Sequence, residues 1–331
     1  MTEHSRIPLP GERASLIERA SKGIDLSAIQ RPHLPPELQR RAPASPAPAE
    51  PAQPAPTQAQ VGDVPTVPAD VTAADEKTFD PPLRPFSGPY HPVDRLHLRE
   101  QCLIEPEGQV TGVLEEFRIV KRQLLLAAAE SRAGIGPDRG ERILVCSAHA
   151  GEGKTFCSVN LALSMAAEKD TQVLLVDADF AKPSVLSTLG LPGGPGFMDA
   201  LADPCIAVED CILGTDIPGL WVLPAGNSTG SDTEFLASSR TEIVLDRLSA
   251  QAPNRIMIFD SPPALAASPA SELAMHVGQA VMVVRADRTG EAALRDALGI
   301  LSGCEDIKLL LNCTKFSPTG RRFGSYYGYK E

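Results

Sequence analysis

Ile143-Leu144-Val145-Cys146-Ser147-Ala148-His149-Ala150-Gly151-Glu152-Gly153-Lys154-Thr155 decides the reading of this chain. A short apolar run stops at a loop of small residues, and a helical pattern begins at Lys154-Thr155. The loop has the form A-x-x-x-x-G-K-T, with Ala148 where the stricter phosphate-loop pattern has Gly. Small residues let the backbone curl so that its amides point inward at phosphate oxygens. The helix that follows adds its positive dipole end. Gly151, Glu152, Gly153, Lys154, Thr155 and Phe156 are therefore the expected phosphate contacts. Lys154 is expected to neutralise the β- and γ-phosphates of ATP, and the Thr155 hydroxyl to ligate Mg²⁺. A Gly-rich turn that merely contains Lys-Thr is the bland alternative, and the strand-loop-helix context argues against it.

Two more strand-like runs end in acids. Val173-Leu174-Leu175-Val176-Asp177-Ala178-Asp179 ends in a pair, and Arg255-Ile256-Met257-Ile258-Phe259-Asp260 in one. In open α/β sheets ligands lie beyond the carboxyl ends of the strands, so all three acids are expected to converge on the loop. Bound triphosphate and metal need carboxylate support, and one acid can accept a proton from an incoming hydroxyl. Strand-end Asp residues also cap loops and helices, which is the competing use for each.

Outward from these motifs, strands are expected at Ile143–Cys146, Gln172–Val176, Leu220–Leu223, Arg255–Phe259, Ala280–Val284 and Ile307–Leu311. Helical stretches near 154–168, 240–251 and 290–302 separate several of them. Short buried strands alternating with helices predict an α/β P-loop fold, a mostly parallel sheet covered on both faces. Before the first strand, Val113, Phe117, Val120 and Leu124 fall on one face of a helix.

Eighteen of the 31 prolines lie in residues 1–100, which places the globular part mostly after residue 100. The expected organisation is a short segment at 1–30 and a disordered Pro/Ala-rich linker at 31–105. A P-loop domain at 106–315 and a flexible Tyr-rich tail at 316–331 follow. The first segment contains Ser15-Leu16-Ile17-Glu18-Arg19-Ala20, a docking helix or a frayed terminus. A net charge of −11 argues against general nucleic-acid binding. Seven cysteines without C-x-x-C pairing suit a reducing cytoplasm, and no apolar run reaches the roughly 18 residues of a membrane span. A cytoplasmic protein is expected on those grounds. Tyr326, Tyr327 and Tyr329, three of the four tyrosines, cluster in a Gly/Ser-containing terminus of the kind that reaches other sites.

The loop, the run Leu174-Leu175-Val176-Asp177-Ala178-Asp179-Phe180-Ala181-Lys182-Pro183 and the run Ile258-Phe259-Asp260-Ser261-Pro262-Pro263 together resemble the bacterial tyrosine kinases. These are a branch of the P-loop ATPases related to MinD and ParA. The resemblance covers about residues 110–331, and Ser15–Ala20 is similar to a segment of the exosortase-linked exopolysaccharide autokinases. It implies an ATP- and Mg²⁺-dependent protein-tyrosine autokinase acting in exopolysaccharide synthesis or export. Asp177 is then the base, Thr155, Asp179 and Asp260 hold Mg²⁺, and Asn312 contacts adenine or caps a loop. Tyr326, Tyr327 and Tyr329 are implied acceptors in trans. Glu115, Arg118 and Lys121 match the family's Glu-x-x-Arg-x-x-Arg ring-building helix, with Lys121 replacing an Arg; from the residues alone this run is a solvated charged face. The implied partners are further copies in a ring and a membrane-embedded chain-length determinant that activates the kinase and recruits it to the inner face of the membrane. A MinD/ParA-like ATPase switch and a non-catalytic nucleotide-binding scaffold are the rivals. His149 replaces the second lysine of the MinD/ParA relatives, which counts against the switch.

Overall fold

The computed structural model describes residue 86 and residues 89–315, all within one unit, Lys77–Glu331. The N-terminal segment, most of the expected linker and the tyrosine tail lie outside the described residues. The strands are β1 (Tyr90–His91), β2 (Arg142–Ser147), β3 (Gln172–Asp177), β4 (Leu213–Thr215), β5 (Leu220–Leu223), β6 (Arg255–Asp260), β7 (Gln279–Arg285) and β8 (Asp306–Asn312). They form a single sheet in the order β1-β4-β5-β3-β6-β2-β7-β8. Every pair is parallel except β4 with β5. All six expected strands are present, each within one residue of its expected ends.

Alternation along the strands sends successive side chains to opposite faces. Leu144, Cys146, Leu174, Val176, Met257 and Phe259 join one core. Ile143, Val145, Val173, Leu175, Ile256 and Ile258 join the other. Both faces are buried, which is why these strands read as continuous apolar runs. On the second face lie α1 (Arg95–Glu100), α2 (Gly112–Arg132), α3 (Lys154–Ala166) and α4 (Val185–Leu189). The first face carries α5 (Phe197–Ala202), α6 (Asp232–Leu236), α7 (Ser239–Ala250), α8 (Pro269–Ala274) and α9 (Glu291–Ile300). In α2, Phe117 and Leu124 are buried and Val113 and Val120 pack beside them, as the helical spacing requires.

The fold begins earlier than expected. β1 and α1 lie inside the stretch assigned to the linker, and Phe86 before them packs on Trp221, so the boundary at 105 moves back at least to residue 86. Prolines there read as linker, but β1 is a two-residue edge strand, where proline is tolerated. The Asp94 side chain then caps α1 by accepting from the Leu96 and His97 amides at 2.9 and 3.0 Å. Leu98 is fully buried, anchoring α1 to the core.

Phe197 links the sheet to the acidic strand ends. It is fully buried, with its ring 6.3 Å from Phe180, just after Asp179, and 6.5 Å from Phe259, just before Asp260. Replacing it by Ala removes contacts to both and leaves a cavity. Phe197→Ala is expected to lose about 3–5 kcal/mol, read as a lowered urea midpoint.

Candidate active site

β2 delivers the chain into the loop, and α3 starts at Lys154 with Gly153 as its N-cap. Gly151 and Gly153 have φ of +75° and +99°, left-handed values that only glycine adopts without strain. At Gly153 a Cβ would also collide with the Asn312 amide nitrogen. Among the described residues the backbone amides of Ala150, Gly151, Glu152 and Gly153 have no protein acceptor. They form a nest of donors over the dipole of α3, with Lys154 buried beside it.

Register brings the acids together. β3 pairs with β6 so that Asp177 stands directly beside Asp260, and β6 pairs with β2 so that Asp260 stands beside Val145. Thr155 Oγ1 donates to Asp260 Oδ2 at 2.7 Å, and Ser158 Oγ to Asp260 Oδ1 at 2.9 Å. The Thr155 and Ser184 hydroxyls are 3.0 Å apart. Asp177 Oδ2 accepts from the Ser184 and Val185 amides at 2.9 and 3.0 Å. Its Oδ1 carries only a longer contact, 3.3 Å, from the Asp179 amide. Asp177 thus performs the capping role weighed against function and still keeps one lightly engaged oxygen. Asp179 is less buried, and its Oδ1 accepts from the Lys182 amide at 3.1 Å.

Burial dominates the electrostatics. It pushes Asp177 up to about 7, and the adjacent Asp260 adds to the rise against the three amides. Asp260 rises to about 6 through burial, opposed by the Thr155 and Ser158 hydroxyls and by Lys154. Asp179 is also raised by burial, with the Lys182 amide and the charges of Lys154 and Lys182 acting the other way.

Asn312, at the end of β8, donates from Nδ2 to the Glu152 carbonyl at 2.9 Å and accepts from the Cys313 amide at 2.8 Å. The Phe156 ring turns away from the loop toward Phe117 of α2, at 6.5 Å. Arg118 pairs with Glu115 on the same helix. Lys121 is not a solvated charge: its ammonium donates to the Ser164 carbonyl at 2.8 Å and pairs with Glu168 at 2.6 Å. Tyr326, Tyr327 and Tyr329 lie outside the described residues. Ser158 and Ser184 were not anticipated. Ser158 had a signal, standing three residues after Thr155 on the same helical face; Ser184 had none.

Asp260→Asn tests the cost of this burial. The folded-state value of about 6 stands above the ordinary 3.8, so the folded state holds its proton longer than the unfolded chain. Below about pH 4 both states are neutral and the cost vanishes; it grows as pH rises through about 6. In metal-free buffer Asp260→Asn is expected to melt about 3 °C or more above the parent at pH 8, with the gap closing near pH 4. Thermal scans across that range check it.

An AAA-domain family model matches residues 140–288, spanning the loop and all three acids. The EpsB protein of Ralstonia nicotianae is 28% identical over 235 residues, 70% of this chain and 30% of EpsB. The tyrosine-protein kinase YwqD of Bacillus subtilis is 27% identical over 220 residues, 66% of this chain and 87% of YwqD. The chain therefore spans less than a third of the first of these relatives and most of the second. Among solved structures, the BceF tyrosine kinase domain superposes with a TM-score of 0.50 at 25% identity, covering 59% of this chain and 76% of that domain. Phosphate loop, strand-end acids and relatives agree: the chain carries a P-loop domain of the AAA kind and is similar to the bacterial tyrosine kinases.

Proposed function

We propose that this chain is an ATP-dependent protein-tyrosine autokinase serving exopolysaccharide synthesis or export. The observation that carries the reading is the junction of phosphate loop and acids, in which Thr155 bonds Asp260 and Asp260 flanks Asp177. The residues fit a magnesium nucleotide. A threonine hydroxyl and carboxylates are hard oxygen donors, and burial of three acids leaves negative charge that a divalent cation offsets. Thr155, Asp179 and Asp260 are the residues that would hold Mg²⁺, which when bound neutralises charge on the triphosphate.

The protein's own groups then divide the work. The loop amides and Lys154 grip the β- and γ-phosphates and stabilise charge as the phosphoryl group moves. Asp177, raised to about 7, accepts the tyrosine proton near neutral pH as the phenolic oxygen bonds phosphorus and the bond to ADP breaks. Asn312 already braces the loop through one N–H, and the second N–H of that amide serves the adenine ring. The acceptors are Tyr326, Tyr327 and Tyr329 of a neighbouring copy. Lys121 is engaged within its own subunit, so a ring of copies rests on Glu115 and Arg118, whose internal pair opens to form cross-subunit ones. Among the described residues no helix is long and apolar enough to cross a membrane. The partner in this reading is a membrane-embedded activator of the chain-length-determinant kind.

Phosphotyrosine mapping by mass spectrometry after incubation with Mg-ATP tests the reading, with and without the activator's cytoplasmic segment. Phosphate is expected on Tyr326, Tyr327 or Tyr329 and is lost in Lys154→Ala. ATP hydrolysis without phosphotyrosine under both conditions would replace the kinase with an ATPase switch.

A further inference from the structure

The phosphate loop does not hold its shape alone. The Gly151 and Glu152 carbonyls and one oxygen of the Glu152 side chain are bound by the ends of β7 and β8 and the turn after β7. The Arg285 guanidinium donates to the Gly151 carbonyl at 2.7 Å, and Asn312 Nδ2 to the Glu152 carbonyl at 2.9 Å. Arg285 and Asn312 are themselves paired across the two strands. The Glu152 side chain is 1% exposed and spans the loop. One of its oxygens accepts from the His149 amide at 2.9 Å, and the other from the Thr289 hydroxyl. Thr289 in turn accepts from the Arg285 amide at 3.0 Å, closing the network.

Peptide geometry converts these outward contacts into an inward effect. In a planar trans peptide the C=O and the following N–H point in opposite directions. Fixing the Gly151 and Glu152 carbonyls on Arg285 and Asn312 therefore turns the Glu152 and Gly153 amides toward the phosphate side. The loop glycines supply the required backbone freedom and, for the same reason, would let the loop collapse without a brace.

We propose that Arg285 and Thr289 are positioning residues for phosphate binding, holding the loop amides aimed at the β- and γ-phosphates before nucleotide arrives. Both act through Gly151 and Glu152, whose carbonyl and carboxylate they hold. The inference rests on the phosphate-binding reading of the loop and is independent of whether the phosphoryl group goes to tyrosine or to water.

The test titrates the full chain with a fluorescent ATP analogue and, in competition, with inorganic triphosphate, which has only the phosphates in common. Thr289→Val keeps the shape and removes the donor. It is expected to weaken both ligands by the same factor, about tenfold for one lost charge-assisted bond, and Thr289→Ser to restore binding to within about twofold. Arg285→Gln is expected to weaken both ligands similarly. Equal loss for the analogue and triphosphate with rescue by Ser, at a melting temperature within about 2 °C of the parent's, is not expected of a merely destabilised fold. Parental affinity in both Thr289→Val and Arg285→Gln, while Lys154→Ala fails to bind, would overturn the brace and leave the nucleotide site intact. Failure of the parent chain to bind either ligand would overturn both; binding without phosphotyrosine would sink only the kinase.

Discussion

The site depends on the parallel register of β3, β6 and β2. That register sets Asp177 beside Asp260 and Asp260 beside the strand that feeds the phosphate loop. A parallel ladder brings all carboxyl ends to one edge of the sheet, so acids that end separate strands meet there without any loop having to carry them. A slip of one residue in β6 would send Asp260 to the other face and break its bonds to Thr155 and Ser158. The alternating apolar side chains that divide the two cores are what forbid that slip.

The same arrangement concentrates negative charge where water is largely excluded. Hydroxyls of Thr155 and Ser158, the amides around Ser184 and the charge of Lys154 offset only part of the burial cost, and the acids stay raised. The charge these groups leave unbalanced is what the proposed cation accompanying triphosphate would offset. The phosphate loop is the positive counterpart. Its amides are oriented through their carbonyls, which β7 and β8 hold from behind. Helix α2 grips α3 at both ends: Phe117 packs on Phe156 beside the loop, and Lys121 bonds the Ser164 carbonyl near the far terminus. Any surface that binds α2 thus bears on the helix that carries Thr155.

Much of this was legible in the residues. Strands buried on both faces announce themselves as unbroken apolar runs, and the loop motif dictates its own backbone because Gly151 and Gly153 require left-handed angles. What escaped was whatever tertiary context decides. β1 and β4 are two and three residues long and exist because an edge offers them partners. Lys121 sits in a run that looks like a charged helix face, yet its long side chain crosses to the end of α3, a contact no spacing rule foresees. Ser184 and Thr289 belong to turns after strands and Arg285 is the last residue of β7, positions that no periodicity marks. The acids could be expected near the loop, but the adjacency of Asp177 and Asp260 is a matter of strand order and register, neither of which the residues reveal.

The most direct measurement is calorimetric titration of ATP into the parent chain and Asp260→Asn, each with and without Mg²⁺. If the strand-end acids face the metal and the triphosphate, the parent binds ATP more tightly with Mg²⁺. Asp260→Asn then loses most of that dependence and, with one repelling carboxylate removed, binds metal-free ATP at least as well as the parent. Equal Mg²⁺ dependence in both chains would place Asp260 outside the metal's reach and contradict the convergence on which the site is built.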